Sequence, residues 1–349
     1  MRNNTVSIAK AIGIILMVVG HSGCPKGLCQ FIYLFHMPLF FFISGYFFNP
    51  DSTDSKKIFV TRKVQTLWMP FVKWSFIFLL LHNLLYSINF ETDLYIWNDI
   101  WQRTLLIPFM FGEDTLVGGY WFLNNLFYCS VLCLLFTWVI KFLSHNMRVI
   151  AILFLVMGVS VFMLSLFFTH IIDNDVVKRL PIMCFSGVMF GTGYVFSQFR
   201  FKFIQNKWLW MMSFAILVVG VVLKPLIRPF TSATAFDAPY IIIMALVGVY
   251  FVFYLAHVLN KTYLKKLLVY VGDNSLIILT FHFLVFKFAS WFIVLVSDLP
   301  MSEIASHPHI KFEESNWWWL FYTILGVSLP LIIKLLKDKT QTYIGQVIK

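Results

Sequence analysis

Charge is what this sequence has least of. Asp, Glu, Lys and Arg make up 12% of its 349 residues, where a soluble domain carries about a quarter. So few charges cannot cover a water-facing surface, which excludes a soluble enzyme or binding module of this length. Acids are the scarcer sign, 16 against 27 Lys and Arg. None falls inside a long apolar run, and Asp273 only borders one. That scarcity, with no inverted repeat, argues against an ion-coupled carrier, which places carboxylates within its spans. Cysteine is limited to five, too few for a disulfide scaffold. Cys129, Cys133 and Cys184 lie in apolar runs as packing residues, while Cys24 and Cys29 share a polar turn as either a pair or two thiols. There is no Ser-centred elbow and no phosphate-binding glycine loop.

What is present is apolar: 60% hydrophobic residues, 40 of them Phe, and a mean hydropathy of +0.80. These features predict an all-α integral membrane protein, a single polytopic domain over 1–349. About ten transmembrane helices are expected, near 5–22, 30–48, 67–88, 119–140, 149–169, 180–197, 208–224, 239–259, 271–296 and 316–336. Alternate flanks, with Lys10, Lys224 and Lys334 near span ends counted to the nearer side, then divide Lys and Arg as 18 against 7 and leave Lys73 and Lys287 inside spans, while 12 of the 16 acids take the Lys/Arg-poor side. Positive residues mark the cytoplasmic face, so both termini are expected there, and the end of the first span at His21 faces outward. The net charge of +11 is thereby assigned to topology and anionic lipid rather than to nucleic acid. His21 and the runs that follow make the first segment a retained helix rather than a signal peptide.

Within this frame a few residues stand out. Lys10 and His21 are eleven positions apart, about three helical turns and roughly 16 Å of rise, so they share one face. A short turn follows, and then a second run that contains His36. Imidazole in hydrocarbon is costly, which makes these histidines candidates for function, and His282 in the ninth run joins them. Two amphipathic features flank the third run: Arg62 and Lys63 before it, and a Trp-rich segment, with Trp97 and Trp101 one turn apart, after it. Gly118 and Gly119 precede Trp121 and Asn124, permitting close backbone approach. Lys287 is expected to snorkel, Gly187, Gly191 and Gly193 to pack helices closely, and Gly272–Ser275 to cap the ninth helix. His145, His307 and His309 fall in loops and carry no expectation. The spacing His21, Cys24, Cys29, His36 is unlike a zinc site, so no metal is expected.

The opening, Lys10-x10-His21 followed by FIYLFHMPLFFFISGYFF, resembles the acyltransferase-3 family of polytopic membrane proteins, in the branch of sugar O-acetyltransferases. Gly20-His21 and Lys10 match, while Ser7 stands where the family carries an aspartate. Lys63-x3-Leu67-x2-Pro70, Trp121–Leu123 and Gly272-x2-Ser275 with His282 are similar to later family landmarks. The resemblance implies a bacterial inner-membrane acyltransferase that moves an acetyl group from cytoplasmic acetyl-CoA to a hydroxyl of a cell-surface or lipid-linked polysaccharide, such as O-antigen or capsule. His21 would be the catalytic base, with His36 a second catalytic group. Lys10, Arg62 and Lys63 would hold the CoA phosphates, and Trp121, Asn124 and His282 the carbohydrate. Partners would be acetyl-CoA, the glycan and membrane lipid, with oligomerisation left open. A transporter or exporter of polysaccharide or small molecules, without transfer chemistry, is the alternative.

Overall fold

The computed structural model describes residues 3–49, 56–169, 171–172, 175–223, 233–312 and 317–347. Among these residues there is no strand. The helices run α1 Asn4–His21, α2 Lys26–Tyr33, α3 His36–Tyr46, α4 Lys56–Lys63, α5 Met69–Ser87, α6 Trp97–Leu106, α7 Trp121–Ile140, α8 Met147–Phe168, α9 Asp175–Gln198, α10 Lys207–Leu223, α11 Ala238–Leu259, α12 Lys265–Asp273, α13 Ser275–Ser297 and α14 Trp318–Val347. Helix is the expected answer in lipid, because each main-chain polar group must find its partner within its own segment.

Nine stretches among the described residues are long and apolar enough to cross a membrane, several of them joining consecutive helices, and α10 is a shorter apolar helix. The expected spans are thus present, though the limits at 224 and 316 lie outside the described residues. Two boundaries differ for reasons legible in the chain. The second span begins at Lys26, not 30, and is broken at Leu34–Phe35. Pro38 explains the break, since its ring has no N–H for the Leu34 carbonyl and crowds it. His36 therefore starts a new helix. Likewise, Gly272–Ser275 is a junction between α12 and α13 rather than a side-chain cap: Asn274 donates its amide backward to the Tyr270 carbonyl at 2.8 Å. A π-helical turn, Val64–Trp68, enters α5, where Pro70 leaves the Thr66 carbonyl without its usual donor.

The helices group into two compact units. One comprises 1–9, 26–70 and 122–265, and is built on α3 against α9. Between lipid-bathed helices there is no hydrophobic drive to associate, so contact depends on close packing. Gly45 and Gly193 supply it: a Cβ on Gly45 would collide with the Phe190 carbonyl, and one on Gly193 with that of Phe42. Gly191 meets Phe154 of α8, whereas Gly187, also expected at an interface, faces open space. Phe42, Phe196, Phe203 and Phe253 fill the interior with edge-on and stacked rings.

The second unit comprises 10–25, 71–121 and 266–349, with α13 packed along α14. Phe286 of α13 lies on Gly326, and the Ser290 hydroxyl meets the Tyr322 hydroxyl at 2.7 Å. The 3₁₀ segment Thr115–Tyr120 docks on α13 through Tyr120 Oη and Thr280 Oγ1, 2.8 Å apart. Helix α6 carries Trp97, Trp101 and Leu105 exposed along one side, the stripe of a helix lying in an interface.

Candidate functional site

The second unit brings two of the expected site residues face to face. His21 ends α1 and His282 lies two turns into α13, with ring centroids 5.7 Å apart. His21 also meets the edge of Phe283 at 5.1 Å. The unbroken α1 preserves the eleven-residue interval between Lys10 and His21, and both belong to this unit.

His282 is fully buried. Its Nδ1 lies 3.1 Å from the Ile278 carbonyl and 3.0 Å from that of Leu279. Carbonyls only accept, so Nδ1 carries the proton and Nε2 of the neutral ring is left with a lone pair. That Nε2 is buried with no hydrogen-bond partner. An orphaned acceptor is costly in an interior and marks a place where a donor from a ligand is at home. Gly119 lies against this corner: a Cβ there would crowd Leu279 Cδ1 at 3.0 Å and sit in ordinary contact with His282 Cε1 at 3.7 Å. Trp121 opens α7 two residues later, half-buried, in the same unit.

The loop from 301 to 310 completes this corner, and the reading of its histidines as unremarkable is corrected. His307 packs against Phe283 at 4.7 Å between ring centroids. His309 fills the space beside Gly23, whose φ of +82° and missing Cβ admit the ring. Burial first, then the Lys287 charge, lowers His307 to about 4. Burial also lowers His309. Both rings are therefore neutral near pH 7.

Lys287 does not snorkel. It is wholly buried and donates to the carbonyls of Ile304, Ala305 and Ser306 at 3.2, 2.8 and 3.0 Å. An ammonium has three donors, and here each has an acceptor in the loop that carries His307. The nearest loop lies within reach, so the ammonium is satisfied without reaching for water.

A second polar cluster in this unit went unread in the sequence. Helix α5 ends with Asn89 in the left-handed conformation (φ 61°) and Phe90 N–H bonded back to the Leu85 carbonyl at 2.8 Å, a Schellman closure. The turn drives Phe90 and Glu91 inward. Asn83 grips both main-chain groups of Tyr95 at 3.0 Å, holding the segment against α5. His82 then faces the Asp93 carbonyl with Nε2 at 2.8 Å and Asp114 Oδ2 with Nδ1 at 2.6 Å. Tyr95 stacks on its ring. Glu91 is pushed up to about 7, by burial first and then by the Asp114 charge. Two of the acids that sequence order assigned to loops, Glu91 and Asp114, are thus buried, and acid scarcity in the spans carries less weight against a carrier than expected. The missed signal was His82, an imidazole within an apolar run.

The remaining expected residues, His36, Arg62, Lys63 and Asn124, belong to the first unit. His36 is buried, its Nδ1–H donating to the Ile32 carbonyl at 2.9 Å and its ring edge-on to Tyr33. Lys63 Nζ lies over the Phe59 ring at 5.4 Å and Arg62 is exposed. Asn124 is buried in α7. The same unit holds a cavity of about 350 Å³ lined by Asn3, Thr5, Tyr46, Lys202 and His257 among others, none of them singled out by the sequence. Cys24 and Cys29 carry thiols rather than a disulfide.

Comparison with known proteins adds one finding. The acyltransferase-3 family model, described as an acyltransferase domain, matches residues 3–335. No curated protein and no solved structure matches the chain. The match spans nearly the whole chain, taking in both histidines of the pair, and supports acyl transfer rather than transport. The chain belongs to the acyltransferase-3 family and is a membrane acyltransferase.

Proposed function

We propose that this acyltransferase moves an acetyl group from cytoplasmic acetyl-CoA to a hydroxyl of a cell-surface or lipid-linked polysaccharide, across a bacterial inner membrane. The observation that carries the reading is the His21–His282 pair, ring centroids 5.7 Å apart, in which Nε2 of His282 is buried without a hydrogen-bond partner. In this reading a neighbouring hydroxyl of the acceptor sugar donates to His282 Nε2, which fixes the sugar's orientation and leaves the proton of the attacking hydroxyl for His21. His21 takes the hydroxyl proton as the oxygen attacks the thioester carbonyl, imidazole being basic enough to do so near neutral pH. The C–S bond then breaks and the CoA thiolate leaves, to be protonated by solvent or the imidazolium. Lys10 on the same face of α1, with Arg62 and Lys63, holds the CoA phosphates by charge-assisted hydrogen bonds. Trp121 and Asn124 contact the sugar, and His36 is held as a second imidazole for the transfer. The distribution of Lys and Arg supports the orientation, with His21 at the outer end.

The test is compositional. Surface glycans from cells with and without the chain are compared for base-labile O-acetyl esters. Esters that depend on the chain, and that return with the intact gene but not with His21→Ala, support the reading. Identical acetylation in all strains overturns the acceptor class.

A further inference from the structure

His82, Glu91 and Asp114 form the one group, among the described residues, in which three metal-ligating side chains each turn an atom to within 4.8 Å of the others. We propose that they bind a divalent transition-metal ion, of which zinc is the best match, as a structural staple between α5 and the segment leading to Tyr120.

Burial is the first support. The three side chains are only 1–4% exposed, and two carboxylates facing an imidazole in a dry interior need more positive charge than the neighbouring Lys287, already held by three carbonyls, supplies. The outer contacts of these groups are already arranged as metal sites require. His82 Nε2–H donates to the Asp93 carbonyl, which in the neutral ring turns the Nδ1 lone pair toward the carboxylates. Asp114 Oδ1 accepts from the Leu116 N–H at 3.1 Å, leaving Oδ2 for the cluster. Glu91 supplies an independent observation: its Oε1 is buried with no hydrogen-bond partner.

One imidazole nitrogen and two carboxylate oxygens make a borderline donor set, suited to Zn²⁺ at about 2.0–2.2 Å with a fourth position for water. Ligands at those lengths stand roughly 3.3 Å apart in tetrahedral geometry. The His82–Asp114 contact of 2.6 Å would open by less than about 1 Å, and Glu91, whose ligand atom lies within 4.8 Å of the other two, would close by no more than about 1.5 Å. The ion would then tie α5 to both ends of the 88–114 segment. That segment runs directly into Gly119, which lies against Leu279 and His282 of α13.

The experiment uses the full-length protein in detergent, stripped with chelator and dialysed against micromolar Zn²⁺ in excess Mg²⁺. Elemental analysis should find one zinc per chain, and the bound metal should raise the thermal midpoint. Glu91→Gln and Asp114→Asn should abolish both effects, while His282→Ala and His309→Ala should retain them. X-ray absorption of the wild type should show a single imidazole in a shell of oxygens, which decides the question even if a cluster variant fails to fold. Absence of stoichiometric zinc would show that a shared proton holds the cluster. Zinc that survives Glu91→Gln, or a shell of several imidazoles, would place the ion among the outer histidines and equally overturn the proposal.

Discussion

At the scale of single residues, this protein separates imidazoles by what their second nitrogen can do. His282 gives Nδ1–H to its own helix and keeps a lone pair on Nε2. His307, pressed against Phe283, is held neutral by burial and by the Lys287 charge. Its folded pKa of about 4 lies below the ordinary 6.5, so the folded protein binds fewer protons there than the unfolded chain. That contribution is complete above pH 6.5 and is lost as pH falls toward 4, by roughly 3 kcal/mol at most. Thermal denaturation of wild type and His307→Asn across pH 7 to 4 should therefore converge with acidification, because Asn has no proton to gain. Parallel curves would remove His307 from the acid response. The sequence singled out His282 for a general reason, the cost of imidazole in an apolar run. The same reason applies to His82, which no motif landmark accompanies. His307 was beyond reach, since only the pull of Lys287 on three carbonyls shows that its loop is pinned.

Elements were legible to the extent that apolar length decides them. Composition predicted helices at ten places, and Pro38 and Pro70 account for the break in the second span and the π-helical entry to the third. Interfaces were less legible, because three glycines in one helix look alike in sequence. Gly193 abuts the Phe42 carbonyl and Gly187 faces nothing. Gly193→Val should thus destabilise the protein by about 1–3 kcal/mol, as overpacking does, seen as a lowered thermal midpoint. Gly187→Ala should leave that midpoint within error and serves as the control. Equal effects at both sites would mean that α3 and α9 are not packed as described. Glu91 and Asp114 illustrate the other limit. Sequence order put them in a loop, but a left-handed Asn89 and the grip of Asn83 on Tyr95 fold that loop inward.

For the whole molecule, family membership and helical architecture rest on the match over 3–335 and on the spans themselves. Donor, acceptor and orientation are the proposed layer. Its donor half predicts that Lys10→Ala and Arg62→Ala weaken acetyl-CoA binding at least several-fold, each removing a charge-assisted bond, while acceptor affinity is unchanged. Lys10→Arg should be the mildest change, since the charge stays. Isothermal titration with a non-hydrolysable acetyl-CoA analogue reads this directly, and unchanged affinity in both alanine variants would reduce these residues to topology anchors.

The central claim is that acyl transfer occurs at His21, beside His282. It is tested by the rate of acetyl transfer from labelled acetyl-CoA to purified glycan acceptor, by wild type and His21→Ala at matched amounts in proteoliposomes. With donor saturating, the account predicts a fall of about 10²–10⁴-fold, the usual worth of a general base. Excess acetyl-CoA should not restore it, and His282→Ala should fall less, mainly through a weaker acceptor KM. Near-normal turnover by His21→Ala would contradict the account and move the base elsewhere, with His36 next to be tried.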